Sequence, residues 1–354
     1  MKILITNNSL SELAGSEIFV YELAKGLREL KHQVSIFIFK EITKDAIIPQ
    51  KLKKLGVKII NNVDDLTQKY DVIHCHHNTT ATLINSRYPE TPKIFVSHGW
   101  VFPICVPNID IKFNKIIAIS DEVKANLIKK GFKDVEIVRN PIDTQRFKFR
   151  KFKAKELKNI VIASNHAGKP CKAIGQTCEP YETKKPQYAQ IECLTDCEKK
   201  PIIQMQKIAQ FYKSKLLNIG ASMFLNQKGE VEVKNNQIWN IEDAYKTAEL
   251  VFSIGRSALT AISMGVPTCI YDHFGYAGFI ESKEQFEELE RTNFSGRIPH
   301  QINNDFPILD PIVFGYKFQK NVFKLKMLSD LVKEKYSAKK VVKQYEKIYK
   351  EITS

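Results

Sequence analysis

Two successive series of short apolar runs, each followed by a stretch with helical apolar spacing, constrain this chain more than any other feature. A crossover helix must cover the face of a parallel sheet, so this alternation is what βαβ units require. The first series predicts strands over Lys2–Thr6, Val34–Phe39, Val57–Ile60, Val72–His74, Ile94–Ser97, Ile116–Ile119 and Val135–Val138. Helices are expected over Ser16–Leu30, around Leu52–Leu55, and from an N-cap at Ser120 through Lys130, where Gly131 stops the turn. Lys148–Lys158 is basic, lacks an apolar period and reads as a connection. The second series predicts strands over Asn159–Ser164, Leu217–Ile219, Leu250–Ile254 and Pro267–Tyr271, with helices over Ile202–Lys215, Asn240–Thr247 and Ala258–Met264. Beyond Phe314 the chain reads as helical, with Leu325, Leu328, Leu331 and Val332 on one side and Val341, Val342, Tyr345 and Ile348 on another. The fold class is therefore α/β, with two Rossmann-like, doubly wound domains.

A length of 354 residues fits two cores better than one, because single cores stop growing near ~250 residues. With 43% hydrophobic and 26% charged residues, and only 15 Gly and 14 Pro, the composition excludes a disordered or fibrous chain. The net charge of +15 admits nucleic acid, an anionic membrane surface or a phosphate-bearing substrate as partner. The basic residues are not interleaved with a stacking aromatic patch, so nucleic acid is not expected. Lysines from Lys317 through Lys350 alternate with apolar residues at helical spacing, as a solvated face or a membrane-facing stripe would. The opening MKILITNNS is too short for a signal-peptide core, and no run approaches the ~20 apolar residues of a membrane span. A cytoplasmic protein is expected, soluble or peripheral on the inner face of the membrane. Seven cysteines without a secretory signal suggest reduced thiols, and Cys75, Cys105 and Cys269 sit among apolar neighbours.

Several residues could carry chemistry. In the turn Asn7–Glu17, Ala14, Gly15 and Ser16 lead into the first helix. Small residues there let helix N–H groups approach a phosphate without a Cβ in the way, although a plain structural turn has the same needs. Gly255, Arg256 and Ser257 open a helix after a buried strand, where exposed N–H groups, the positive helix end and a guanidinium coincide. That combination suits a diphosphate; the bland alternative is a surface arginine. His74, His76 and His77 have only Cys75 nearby to complete a metal site, and read as core packing and loop polarity. Cys171, Cys178, Cys193 and Cys197 crowd between Lys169 and Lys200 with gaps of six and three residues, unlike the tight pairs of common zinc ribbons. Zinc, free thiols in an insertion, and disulfides all remain open for them.

Taken in order, AGSEIFVYELAKGLRELKHQVSIF, DVIHCHH, VSHGW and IIAISDEVKANLIKKGFKDVEIVRNPIDTQRF resemble the acceptor-side domain of family-four glycosyltransferases. The shared pattern is a Gly-containing turn, a strand ending in His, a serine-capped helix, and Asn-x-Ile-Asp before a phenylalanine. An ordered series of this kind is more specific than any single motif. GRSALTAISMGVPTCIYDHFG likewise resembles the family's helix and Gly-x-Pro strand that lie against the nucleotide.

The resemblance implies a GT-B architecture, two domains facing across a cleft, with the C-terminal helices packing back on the first. The expected divisions are 1–148, a linker 149–158, a nucleotide-sugar domain 159–324 with a Cys-rich insertion at 170–200, and helices over 325–354. It further implies a hexosyltransferase-like enzyme, metal-independent and requiring no cofactor. The enzyme would move a sugar from a nucleotide sugar to a glycan or lipid-linked acceptor with retention, in cell-surface polysaccharide or glycolipid synthesis. His98 resembles the family's active-site histidine, at a strand end where open sheets bind ligands. The donor would be bound by Gly15, Ser16, Asn165, His166, Lys169, Gly255, Arg256, Ser257, Thr260, Asp272 and Gly275. Lys169 keeps a lysine on the diphosphate side, while Asn165 and His166 replace the family's arginine loop, a loss Arg256 can compensate. One departure stands out: where the family carries two glutamates eight residues apart, this chain has Phe252 and Thr260. Asp272 or Glu281 could replace a missing carboxylate, and a catalytically degenerate nucleotide- or glycan-binding protein is the alternative.

Overall fold

The structure, a computed structural model, describes residues 1–99, 102–152, 156–164, 205, 208–220, 231–234, 238–272, 275–296, 316 and 321–354. The chain divides into two compact units, Met1–Asp143 with Lys335–Ser354, and Thr144–Glu334. Among the described residues no helix is long and apolar enough to cross a membrane.

The first unit runs β1 (Lys2–Asn7), α1 (Gly15–Glu29), β2 (Gln33–Ile38), α2 (Ile47–Lys54), β3 (Lys58–Ile60), β4 (Val72–Cys75), α3 (Asn78–Arg87), β5 (Lys93–Ser97), β6 (Lys115–Ala118), α4 (Asp121–Lys129) and β7 (Val135–Ile137). Its seven strands form a parallel sheet in the order β3-β2-β1-β4-β5-β6-β7. Ile3, Leu4 and Ile5 are all fully buried, the mark of a strand covered on both faces. Ser120 caps α4 as expected, its hydroxyl accepting from the Val123 amide at 3.3 Å. Helix α3, absent from the expected series, buries Thr80, Ala81 and Ile84, a face too polar to stand out in the sequence.

The second unit contains β8 (Asn159–Ser164), β9 (Lys215–Gly220), β10 (Val231–Lys234), α5 (Ile241–Thr247), β11 (Leu250–Ser253), α6 (Gly255–Ser263), β12 (Thr268–Asp272), β13 (Gly275–Phe279), α7 (Lys283–Arg291) and α8 (Val322–Tyr336), whose last two residues pass into the first unit. Strand order is β10-β9-β8-β11-β12-β13, parallel except for the β12–β13 hairpin. The helix expected over Ile202–Lys215 is described only in part, with 208–211 helical and β9 already begun at Lys215. Strands β10 and β13 and helix α7 were not expected; two glycines in GYAGF disguise β13.

The last helix, α9 (Ala338–Thr353), belongs to the first unit and packs on α1. Val341, Val342, Tyr345, Ile348 and Tyr349 form its buried face, while Lys339, Lys340, Lys343, Lys347 and Lys350 are exposed. Its start is tied to the Asn-Pro-Ile-Asp motif. The Ile142 amide donates to the Tyr336 carbonyl at 2.7 Å, and the Ala338 amide donates to that of Ile142 at 2.8 Å. Asp143 of the same motif accepts from Lys25 of α1 at 2.7 Å.

Helix α1 meets α9 through Gly26, where an added Cβ would lie 2.6 Å from one Val342 methyl and 3.0 Å from the other. Valine is stiff at χ1, so rotation cannot clear both. Gly26→Ala should therefore lower stability by about 1–3 kcal/mol despite alanine's better helix propensity. Adding Val342→Ala should restore most of the loss, as read by chemical denaturation. A single variant as stable as the parent would contradict the close approach.

Candidate functional site

In the first sheet the strand order reverses between β1 and β4, and the crevice outside the carboxyl ends of such strands is where open α/β sheets bind ligands. Asn7 ends β1 and Asn8 follows it, and His76 and His77 follow β4. The two ends are joined: the Asn8 amide donates to His77 Nδ1 at 3.2 Å, and the His76 amide donates to the Thr6 carbonyl at 3.3 Å. His98 follows β5 on the same edge, one residue beyond Ser97.

His74, His76 and His98 form a stack. Ring centroids are 4.6 Å apart for His74–His76 and 4.9 Å for His76–His98, with planes within 27° and 25°. His76 Nδ1 and His98 Nε2 share a hydrogen bond of 2.6 Å. At the inner end His74 Nδ1 is hydrogen-bonded to the Tyr349 hydroxyl, and Phe19 of α1 packs edge-on to His76 and His98. His74 and His76 are fully buried, and His98 is the partly exposed end. Burial, reinforced by neighbouring imidazoles, holds His74 and His76 well below the ordinary histidine range and His98 at about 3. His77 is lowered to about 4 by burial and then by Lys40. The array is thus neutral at working pH. Among the described residues no group of three or more His, Cys, Asp or Glu side chains is arranged to hold a metal ion.

Gly15 and Ser16 begin α1, on the loop after β1. A Cβ added at Gly15 would meet nothing within 4 Å, so internal packing does not require glycine there. The Ser16 hydroxyl donates to Glu17 at 3.1 Å. Glu17, unremarked in the sequence, is 7% exposed, and burial raises its carboxyl from 4.5 to about 7. A groove of about 490 Å³ starts at the first turn of α3, lined among others by Asn78, Thr82, Asn108 and Phe132.

The second sheet reverses its order between β8 and β11, and α6 begins directly after β11. Gly255 opens the helix with φ of 55°, in the left-handed region that favours glycine. Its amide donates to the Phe294 carbonyl at 2.9 Å, so the first of the N–H groups expected to be exposed at this helix end is occupied. Phe294, which caps it, and the preceding Asn293 also have left-handed φ, of 54° and 53°, a strained turn of the kind found at functional sites. The buried Tyr245 hydroxyl donates to the Ser257 carbonyl at 3.1 Å and steadies the first turn. Arg256 lies in that turn, partly exposed. Thr260 is buried, and its hydroxyl donates to the Arg256 carbonyl at 2.9 Å; Phe252 is packed in the core against Tyr271. Neither departure position therefore presents a free polar group. Asp272 and Gly275 are register partners closing the β12–β13 hairpin on the same sheet edge. Glu281 follows that hairpin, its amide donating to Gln285. Asn165, His166, Lys169 and the four clustered cysteines lie outside the described residues. Cys75, Cys105 and Cys269 are buried free thiols.

Residues 13–146 match the family model described as Glycosyltransferase Family 4. No curated protein sequence matches the chain. Among solved structures, AviGT4, a glycosyltransferase involved in avilamycin A biosynthesis, is similar at 14% identity and a TM-score of 0.58, covering 100% of this chain and 98% of its own. An α-glucosyltransferase in complex with UDP and DNA is similar at 12% identity and a TM-score of 0.60, covering 99% and 100%. A structure assigned as a UDP-N-acetylglucosamine 2-epimerase of Listeria monocytogenes is similar at 12% identity and a TM-score of 0.51, covering 98% and 94%. The chain thus has the GT-B fold of two Rossmann-like units, one matching the family-four model.

The Glu17 carboxyl yields a test of the crevice's electrostatics. Folded, it keeps its proton to about pH 7; unfolded, it releases it near 4.5. Between those values the native state binds more protons than the unfolded one, so this group lowers stability as pH rises. Glu17→Gln should be more stable than the parent at about pH 8, by up to roughly 3 kcal/mol, with the gap closing near pH 4.5. Denaturation curves at the two pH values check this; a pH-independent difference would contradict the desolvated carboxyl.

Proposed function

We propose that this protein transfers a hexosyl group from a nucleoside-diphosphate sugar to a glycan or lipid-linked acceptor, with retention at the anomeric carbon. The observation that carries the reading is the α6 N-terminus at the reversal point of the second sheet, in a chain whose whole length has the GT-B fold. A diphosphate leaving group needs positive charge fixed in advance, and a helix N-terminus with an adjacent guanidinium supplies it. Arg256 and the first turn of α6 take that role. A similar fold in complex with UDP supports a nucleoside diphosphate as the ligand. In the first unit, His98 acts beside the transferred sugar. The groove of Asn78, Thr82, Asn108 and Phe132 receives the acceptor, its amides and hydroxyls suited to sugar hydroxyls. Synthesis of cell-surface polysaccharide or glycolipid fits such an acceptor. The exposed lysine face of α9 is the surface that would meet an anionic membrane.

A second reading, a degenerate binding protein, is favoured by Phe252 and Thr260, which offer the sugar no carboxylate. Release of nucleoside diphosphate from a nucleotide sugar in the presence of acceptor separates the two. Arg256→Ala should weaken nucleotide-sugar binding at least about tenfold in titration calorimetry, the loss of one charge-assisted contact. Unchanged affinity would remove Arg256 from the donor site.

A further inference from the structure

The histidine stack is a costly way to fill a core. Nε2 of His74 and Nε2 of His76 are buried without hydrogen-bond partners among the described residues. Each such atom costs about 1–3 kcal/mol that a phenylalanine ring of similar volume would not. The polar content therefore serves something other than stability.

The contact between His76 Nδ1 and His98 Nε2 says what. Two neutral imidazoles make one hydrogen bond at 2.6 Å when one nitrogen carries the proton and the other a lone pair. If His98 donated from Nε2, the remaining proton of His76 would sit on its buried Nε2 as an orphan donor. If His76 donates from Nδ1, its Nε2 is left as a bare acceptor. Orphaned buried N–H groups are the rarer in folded proteins, so the second arrangement is favoured. The groups facing the pair are His74 and His77 from β4 and the loop after it and Phe19 from α1, while Tyr345 and Tyr349 of α9 touch His74 behind it. None of these offers a negative charge to stabilise an imidazolium in place of the neutral pair.

We propose that His76 is a positioning residue that fixes His98 in the Nδ1–H tautomer, so that His98 meets the sugar as a neutral hydrogen-bond donor and not as a base. Tyr349, hydrogen-bonded to His74, backs the stack from the C-terminal helix. The role toward the sugar rests on the transferase reading above; the tautomer does not.

The test is long-range ¹⁵N–¹H correlation on the full chain carrying ¹⁵N-histidine, with His98→Gln assigning the signal. The expected result is a protonated Nδ1 and an unprotonated Nε2 on His98, with no titration between about pH 5 and 8. His76→Phe should release the tautomer and leave thermal stability equal or higher. It should cut turnover of the nucleotide sugar roughly a hundredfold with KM unchanged. His76→Asn, whose amide can donate from the position of Nδ1, should keep the tautomer and recover most of the turnover. A parent protein with His98 protonated on Nε2 would overturn the proposal, as would a His76→Phe variant whose His98 tautomer is unchanged. Should His76→Phe fail to fold, the parent spectrum and His76→Asn still decide. Absent turnover with the expected tautomer in place would instead count against the transferase reading alone.

Discussion

The candidate site of the first unit depends on the parallel pairing of β1 with both β2 and β4. Because the chain passes outward in opposite directions from that central strand, the loops after β1 and β4 diverge and leave a crevice at the carboxyl edge. The pairing register sets what lines it. Ile5 opposite His74 and Thr6 opposite Cys75 bring Asn7 and Asn8 level with His76 and His77. The next pairing, Cys75 with Phe95, leads β5 out to His98 on the same edge. The second unit repeats the device, with β8 paired to both β9 and β11 and the α6 N-terminus following β11.

The two edges differ in their physics. In the first, polar groups are dry: neutral imidazoles stacked against Phe19, and a carboxyl raised to about 7 by burial. A dry site strengthens the hydrogen bonds made within it, because little water competes. In the second, the described residues supply the backbone dipoles of α6 and the Arg256 guanidinium, with one amide already capped by Phe294. The last sixteen residues of helix tie into the first arrangement, since α9 supplies both Tyr345 and Tyr349 to the histidine stack. Gly26 makes this possible by letting the Val342 side chain lie against the backbone of α1.

Much of this was legible in the sequence. Strands of buried parallel sheets are continuous apolar runs, and Lys2–Thr6, Ile94–Ser97 and Asn159–Ser164 stood within one residue of their observed bounds. The buried faces of the last two helices were readable from spacing, Leu325 through Val332 and Val341 through Ile348. Elements whose signal is weak were missed: α3 for its threonines, β13 for its glycines and β10 for the charges in VEVK. For the candidate site, Gly255 and Arg256 are readable from their place after a strand, and His98 from its resemblance to the family's active-site histidine at a strand end. In the sequence His76 reads as packing, because its stacking on His98 depends on the register between β4 and β5. The raised carboxyl of Glu17 comes from surroundings assembled by distant parts of the chain, which no local pattern records.

On the proposed function, this fold binds a nucleotide sugar. A thermal-shift comparison of the full chain against UDP-, GDP- and ADP-sugars tests it most directly, because a ligand held only by the native state must raise apparent stability, by about 2.7 kcal/mol at a hundredfold excess over Kd. A rise is expected with at least one nucleotide sugar, larger than the rise with free sugar. No rise with any of them, alongside a salt-sensitive rise with short nucleic acid, would contradict it.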